Sequence, residues 1–188
     1  MILSDTDIKK ALKDKRIRIF PPPSDDQYDT SSLNLRLSQE FKEWDPNLFS
    51  PKSAEIHLDF SNVNLRELSS YLKPLREQED GSVILKPKQF ILATTLERIH
   101  LPRPSRIAAR VEGRSTAARL GFVAHLSAPT IHLGFEGVIT LEIINFGPFH
   151  IKLDPKKDRI CQVIFEEVSD SSDAPSSQYQ GQRKVTGS

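Results

Sequence analysis

One cysteine in 188 residues, Cys161, cannot close an internal disulfide, so packing has to hold this fold together. The same scarcity excludes a metal chemistry. A zinc-dependent nucleoside deaminase holds its metal with a His or Cys and a P-C-x-x-C pair, and a single cysteine does not supply that pair. The five histidines, His57, His100, His125, His132 and His150, show neither H-x-x-x-H nor H-E-x-x-H spacing. A protein-held catalytic metal, zinc included, is therefore not expected. Charge of one sign is missing too: 26 Lys and Arg stand against 25 Asp and Glu. No broad field draws in nucleic acid or an anionic membrane, and an anionic ligand has to be met by local basic groups. No apolar run reaches the roughly 18 residues of a helical membrane span. The N-terminal MILSDTDIKKAL carries acidic residues where a signal peptide would be apolar. A soluble, cytoplasmic protein with length for one core is expected.

What is present reads mainly as β. Ser4 and Asp7 form a capping pattern, and Ile8, Ala11 and Leu12 then share a face, predicting a short helix from about Asp5 to Lys13. After the Pro21-Pro22-Pro23 break, Leu33, Leu35 and Leu37 alternate with polar residues, as in a half-buried strand. Ile56, Leu58 and Phe60 repeat that alternation and predict another strand. Asn64 with Glu67 predicts a second short helix carrying Leu65, Leu68 and Leu72. Strands are then expected near 83–85, 90–96, 106–112, 122–127, 138–146, 149–153 and 159–168, parted by Pro, Gly and Asp. Many short strands without alternating helices predict a sandwich or jelly roll in one domain, 1–168. The polar run SDSSDAPSSQ makes 169–188 a flexible tail.

Three segments could carry chemistry. In Glu112-Gly113-Arg114-Ser115-Thr116-Ala117-Ala118-Arg119-Leu120-Gly121, a strand runs into a turn that Ser115 would cap. Its free N–H groups and two arginines suit phosphate oxygens; a capped connector with Gly121 as its stop is the alternative. The strand Val138–Phe146 places Ile139, Leu141, Ile143 and Asn145 on one face. Val138, Thr140, Glu142, Ile144 and Phe146 fall on the other. Glu142 is thus a lone carboxylate on an apolar strand, either a proton carrier or an ordinary solvated side chain. In Ala128–Gly137, a loop into a hairpin, His132 either contacts a ligand or sits on a strand edge.

Taken together, VEGRSTAARLGF, AHLSAPTIHLGFEGVITLEIINFGP and ICQVIFE resemble the core of the dCTP deaminases, within the wider dUTPase-like superfamily. The resemblance extends to MILSDTDIKKAL, SSLNLRLS and LKPKQFILATTLERIHLP, and so runs to about Glu167. It implies a distorted β jelly roll of the dUTPase-like type with a few short helices, assembled as a homotrimer with shared active sites. It also implies a tail that closes over the nucleotide. The implied reaction is zinc-independent deamination of dCTP to dUTP and ammonia, with Glu142 as proton shuttle and Mg²⁺ carried by the triphosphate.

By the same resemblance, Ser115 and Arg119 organise the catalytic site. Arg114, Ser115 and Thr116, with Ala117 and Ala118, form the triphosphate stretch, and Thr140 and Leu141 line the base pocket. Tyr179 and Gln182 match tail positions over the phosphates. The chain departs from the family pattern at three places. His132 stands where an aspartate usually receives the deoxyribose 3′-hydroxyl, Pro129 and Thr130 replace the usual pairs before it, and Gln178 stands for a phosphate-binding lysine. Two other activities use the same fold: a bifunctional deaminase and diphosphatase, or a dUTP diphosphatase, whose I-D aspartate and Gly-rich aromatic C-terminal motif are missing here. A non-catalytic regulator binding dCTP, dUTP or dTTP would belong to a different class.

Overall fold

The computed structural model describes residues 1–49, 56–169, 181 and 183–185. Helix α1 (Asp5–Lys13) begins in a closed capping box. Asp7 N donates to Ser4 Oγ at 3.1 Å, and Ser4 N donates back to Asp7 Oδ2 at 3.2 Å. Its apolar face sends Ile8 and Ala11 into the core. Next come β1 (Arg18–Phe20), β2 (Tyr28–Asp29), β3 (Ser32–Trp44), helix α2 (Leu65–Leu68), β4 (Leu72–Pro74), β5 (Val83–Leu85), β6 (Phe90–His100) and β7 (Ile107–Glu112). They are followed by helix α3 (Ser115–Arg119), β8 (Phe122–Val123), β9 (Thr130–Ile131), β10 (Glu136–Asn145), β11 (Ile151–Leu153) and β12 (Arg159–Glu167).

Every strand pair is antiparallel. The long β3 is the seam of the sheet. Residues from Leu33 to Arg36 pair with β12, and Leu37, Phe41 and Lys42 pair with β6, with a register shift between Leu37 and Phe41. One wing therefore runs β3-β12-β7-β9 and the other β3-β6-β10-β8, with β1, β2 and β4 added at the margins. Curling at the seam turns the two wings toward one core. Leu33, Leu35 and Leu37 of β3 meet Ile91, Ile99, Leu141, Ile143, Val163 and Phe165 there, all 0% exposed. Removing a large side chain from such a site costs about 2–5 kcal/mol. The expected jelly-roll class is the observed one.

Four local expectations are corrected. Residues 56–59 form no strand. Ile56, Leu58 and Phe60 are exposed, and Asp59 Oδ1 accepts from Ser61 N at 3.0 Å to start a single 3₁₀ turn at Phe60–Asn62. Alternation alone gives no ladder when no neighbouring strand offers partners. The second helix is one turn, and Leu72 belongs to β4. The strand expected at 122–127 ends at Val123, while β6 and β10 run longer than expected. Finally, Arg114 and not Ser115 is the N-cap of α3, with no side-chain cap bond. Gln178, Tyr179 and Gln182 lie outside the described residues.

Candidate active site

Strand β10 alternates as its sequence predicts. Gly137, Ile139, Leu141, Ile143 and Asn145 are buried, and Val138, Thr140, Glu142 and Ile144 are half-buried on the opposite face. Along one edge β10 pairs with β6 through most of its length. Along the other, β8 covers only Ile144 and Asn145, so backbone groups around Thr140 and Leu141 remain on an edge that β8 does not pair. Where the β6 ladder shifts between Val138 and Thr140, the Thr95 hydroxyl accepts from Ile139 N at 3.0 Å. That keeps a buried donor satisfied at the irregularity.

Strand β8 carries α3 to β10. Gly121 has φ +80° and ends α3, its N–H donating to Ala118 O at 3.0 Å, and its carbonyl accepts from Phe146 N at 2.8 Å. A Cβ at Gly121 would lie 2.5 Å from Gly147 N, and one at Gly147 would lie 1.9 Å from Leu120 O. Two glycines therefore let the end of α3 touch the end of β10. Val123 sits across from Ile144. Extending that register by two residues puts His125 opposite Glu142, which is the pair found: His125 Nδ1 lies 2.6 Å from Glu142 Oε2.

The His125 side chain is 7% exposed and that of Glu142 32%. Neither Nδ1 nor Oε2 completes an aligned hydrogen bond, and both atoms are buried. Burial alone would push the imidazole down. The Glu142 carboxylate, the Ala128 backbone and the charge of Glu112 outweigh it, and His125 titrates above its ordinary value of 6.5. His125 was not singled out from sequence, because only the register of β8 on β10 brings it to Glu142. A histidine whose cross-strand position is a lone carboxylate is the signal that would have found it.

The α3 turn lies on the same side of the chain path. Ser115, Thr116, Ala118 and Arg119 are exposed, while Arg114 and Ala117 are half-buried. Beneath the turn, Gln162 Nε2 of β12 donates to Gly113 O at 3.0 Å, and Ser32 Oγ donates to Gln162 Oε1 at 2.9 Å. The structure thus brings Glu142, Thr140 and Leu141 together on one strand and ties the Arg114–Arg119 turn to that strand's end. Leu141 sends its side chain into the core, so only its backbone is available to a ligand. His132 is exposed on the loop between β9 and β10, its carbonyl accepting from Phe135 N at 3.1 Å, and is not part of the His125–Glu142 pair. Among the described residues no group of three or more His, Cys, Asp or Glu is placed to hold a metal ion.

Curled antiparallel wings joined at one long strand, with a polar turn and a paired carboxylate, define a mainly β protein of the jelly-roll class. The crystal structure of 2'-deoxycytidine 5'-triphosphate deaminase from Agrobacterium tumefaciens superimposes with a TM-score of 0.65 at 19% identity, and that likeness shows the fold. It covers 89% of this chain and 48% of the other, so this chain spans about half of that longer one. Residues 2–168 match the family model described as dCTP deaminase-like, and the chain belongs to that family. Similar curated proteins are the "dCTP deaminase, dUMP-forming" of Methanosphaera stadtmanae, 42% identical over 96% of this chain and 89% of the relative, and that of Sulfurihydrogenibium sp., 41% identical over 100% and 96%. The "dCTP deaminase" of Haloarcula marismortui is 37% identical over 97% and 91%.

Proposed function

We propose that the protein hydrolyses the C4 amino group of dCTP, releasing ammonia, with Glu142 as the proton carrier. The observation that carries this reading is the His125–Glu142 pair on the edge of β10, beyond the two residues that β8 pairs. His125 engages Oε2, which leaves Oε1 to face a bound water. Glu142 takes a proton from that water, and the hydroxide adds to C4. That proton passes to N3, the proton of the new C4 hydroxyl then passes through Glu142 to the exocyclic amine, the C4–N bond breaks, ammonia leaves, and a C4 carbonyl remains. Ser115 and Arg119 bind substrate and order this centre. Backbone groups of Thr140 and Leu141 read the pyrimidine edge, and His132 meets the deoxyribose.

Arg114, Ser115, Thr116, Ala117 and Ala118 form the triphosphate cradle. Mg²⁺ arrives on the triphosphate and screens its charge. Zinc has no part in this scheme; the one thiol, Cys161, is packed in the core, where burial pushes it far above its ordinary range. The tail, 169–188, closes over the nucleotide with Gln178, Tyr179 and Gln182, and three copies share their sites in a cytoplasmic homotrimer.

The first product is dUTP. A second reading, onward hydrolysis to dUMP and pyrophosphate, is favoured by the dUMP-forming activity named for the 42% and 41% identical relatives. Incubation of the purified chain with dCTP and with dUTP in Mg²⁺ separates the outcomes. Ammonia with dUTP supports deamination alone, and ammonia with dUMP and pyrophosphate supports the bifunctional enzyme. Binding without turnover sinks both. Glu142→Gln keeps the shape and loses the proton carrier, so kcat should fall by about a hundredfold or more. Near wild-type turnover by that variant would remove Glu142 from the role.

A further inference from the structure

Arg16, Arg36, Arg98, Arg110 and Arg159 each face a carboxylate: Glu167, Glu97, Glu136, Glu166 and Asp26. Arg114 is held differently. Its Nη1 donates to Oδ1 of Asn34, a neutral amide only 2% exposed at the start of β3. A neutral acceptor fixes one N–H of the guanidinium, and among the described residues no carboxylate forms an ion pair with it, so its charge is open to an incoming anion.

The amide itself has no freedom. Asn34 Nδ2 donates to Gln27 O at 3.0 Å and to Asp29 Oδ2 at 2.7 Å. Turning the amide over would set N–H groups against the guanidinium and an oxygen against both the Asp29 carboxylate and the Gln27 carbonyl, three repulsions in place of three bonds. Gln27 is locked in turn, its Nε2 donating to Asn34 O at 2.8 Å and to Glu97 Oε1 at 2.9 Å. Glu97, 0% exposed, also accepts from Arg36 Nε at 2.7 Å and Arg36 N at 2.8 Å. A buried carboxylate is tolerable because both its oxygens are occupied. The chain Arg36–Glu97–Gln27–Asn34 ends on Arg114, at the mouth of the α3 turn.

We propose that Asn34 is a positioning residue for Arg114, presenting its charge to the phosphates, with Gln27 and Glu97 holding Asn34 in place. The proposal rests on the reading of Arg114 as a triphosphate contact. Calorimetric titration of dCTP and of deoxycytidine tests it on the wild type and on Asn34→Ala, Asn34→Asp, Arg114→Ala and the Asn34→Ala/Arg114→Ala double variant. Asn34→Ala should weaken dCTP about tenfold, leave deoxycytidine within about twofold, and raise KM more than it lowers kcat. Asn34→Asp, which pairs Arg114 with a carboxylate and sets an oxygen against Asp29, should weaken dCTP at least as much as Asn34→Ala, and wild-type dCTP affinity in that variant would count against the proposal. The double variant should bind no worse than Arg114→Ala.

Unchanged dCTP affinity in Asn34→Ala, equal loss for deoxycytidine, or additive losses in the double variant would overturn the proposal. If the alanine variant does not fold, Asn34→Ser serves the same comparison, since its short hydroxyl falls short of Arg114. Arg114→Ala alone reports on the underlying reading. If it leaves triphosphate binding intact, the cradle is misassigned and the proposal falls with it. If it weakens binding in a protein that does not deaminate dCTP, only the reaction is misassigned and the positioning role stands.

Discussion

His125 and Glu142 set the pH behaviour of the site. The folded His125 titrates above its ordinary 6.5, so the protonated form is the one the fold favours. A raised histidine contributes stability that is fully present below the unfolded value and is lost as pH rises through the folded one. Thermal stability measured from about pH 6 to about pH 9 should therefore decline through a window lying above 6.5. In Glu142→Gln the carboxylate that raises His125 is gone, and that part of the decline should vanish. A slope unchanged by Glu142→Gln would mean that the pair is not charged in solution. Glu142 itself was legible as one polar side chain on an apolar strand. His125 was not, because its partner is set by cross-strand register, which local pattern does not encode.

At the scale of elements, the contact between the end of α3 and the end of β10 is made by backbone alone. Gly121→Ala would force a side chain into φ +80° and place its Cβ 2.5 Å from Gly147 N, so the variant should lose about 1–3 kcal/mol in denaturant unfolding. Its Glu142-dependent turnover should fall as well, because the same contact leads into β8 and His125. A stable, fully active Gly121→Ala would show that α3 and β10 are not coupled. Strong local signals were read well: the capping box of α1 and the alternation of β10 appear where expected, whereas β3, read as half-buried, buries Ser32 and Asn34 along with its leucines. Short strands were not. Residues such as Thr130–Ile131 or Arg18–Phe20 become strands because β7 and β6 offer open edges, and nothing within two or three residues announces that. The converse holds for 56–60, where alternation had no edge to join.

At the scale of the molecule, four of the twelve large apolar side chains exposed among the described residues lie along the α3, β8 and β10 segments. Leu120 follows α3, Leu126 follows His125, and Phe146 and Phe149 follow β10; all are 47–64% exposed. They gather at the end of the molecule where α3 and β10 meet. A monomer would leave them in water beside its own site, whereas the proposed homotrimer would bury such surface between copies at about 25 cal/mol per Å². Sedimentation equilibrium should then return a mass about three times 21.3 kDa. Phe146→Asp adds a charge to this face without touching the core, since Phe146 is 64% exposed and its N–H bond to Gly121 O is retained. It should shift the protein toward monomer, keep the melting transition of the single chain, and lose activity in proportion to the trimer lost. A Phe146→Asp variant that is monomeric and fully active would place the whole site within one chain, and Arg114, Ser115, Arg119 and Glu142 would then have to meet the nucleotide without help from a neighbour.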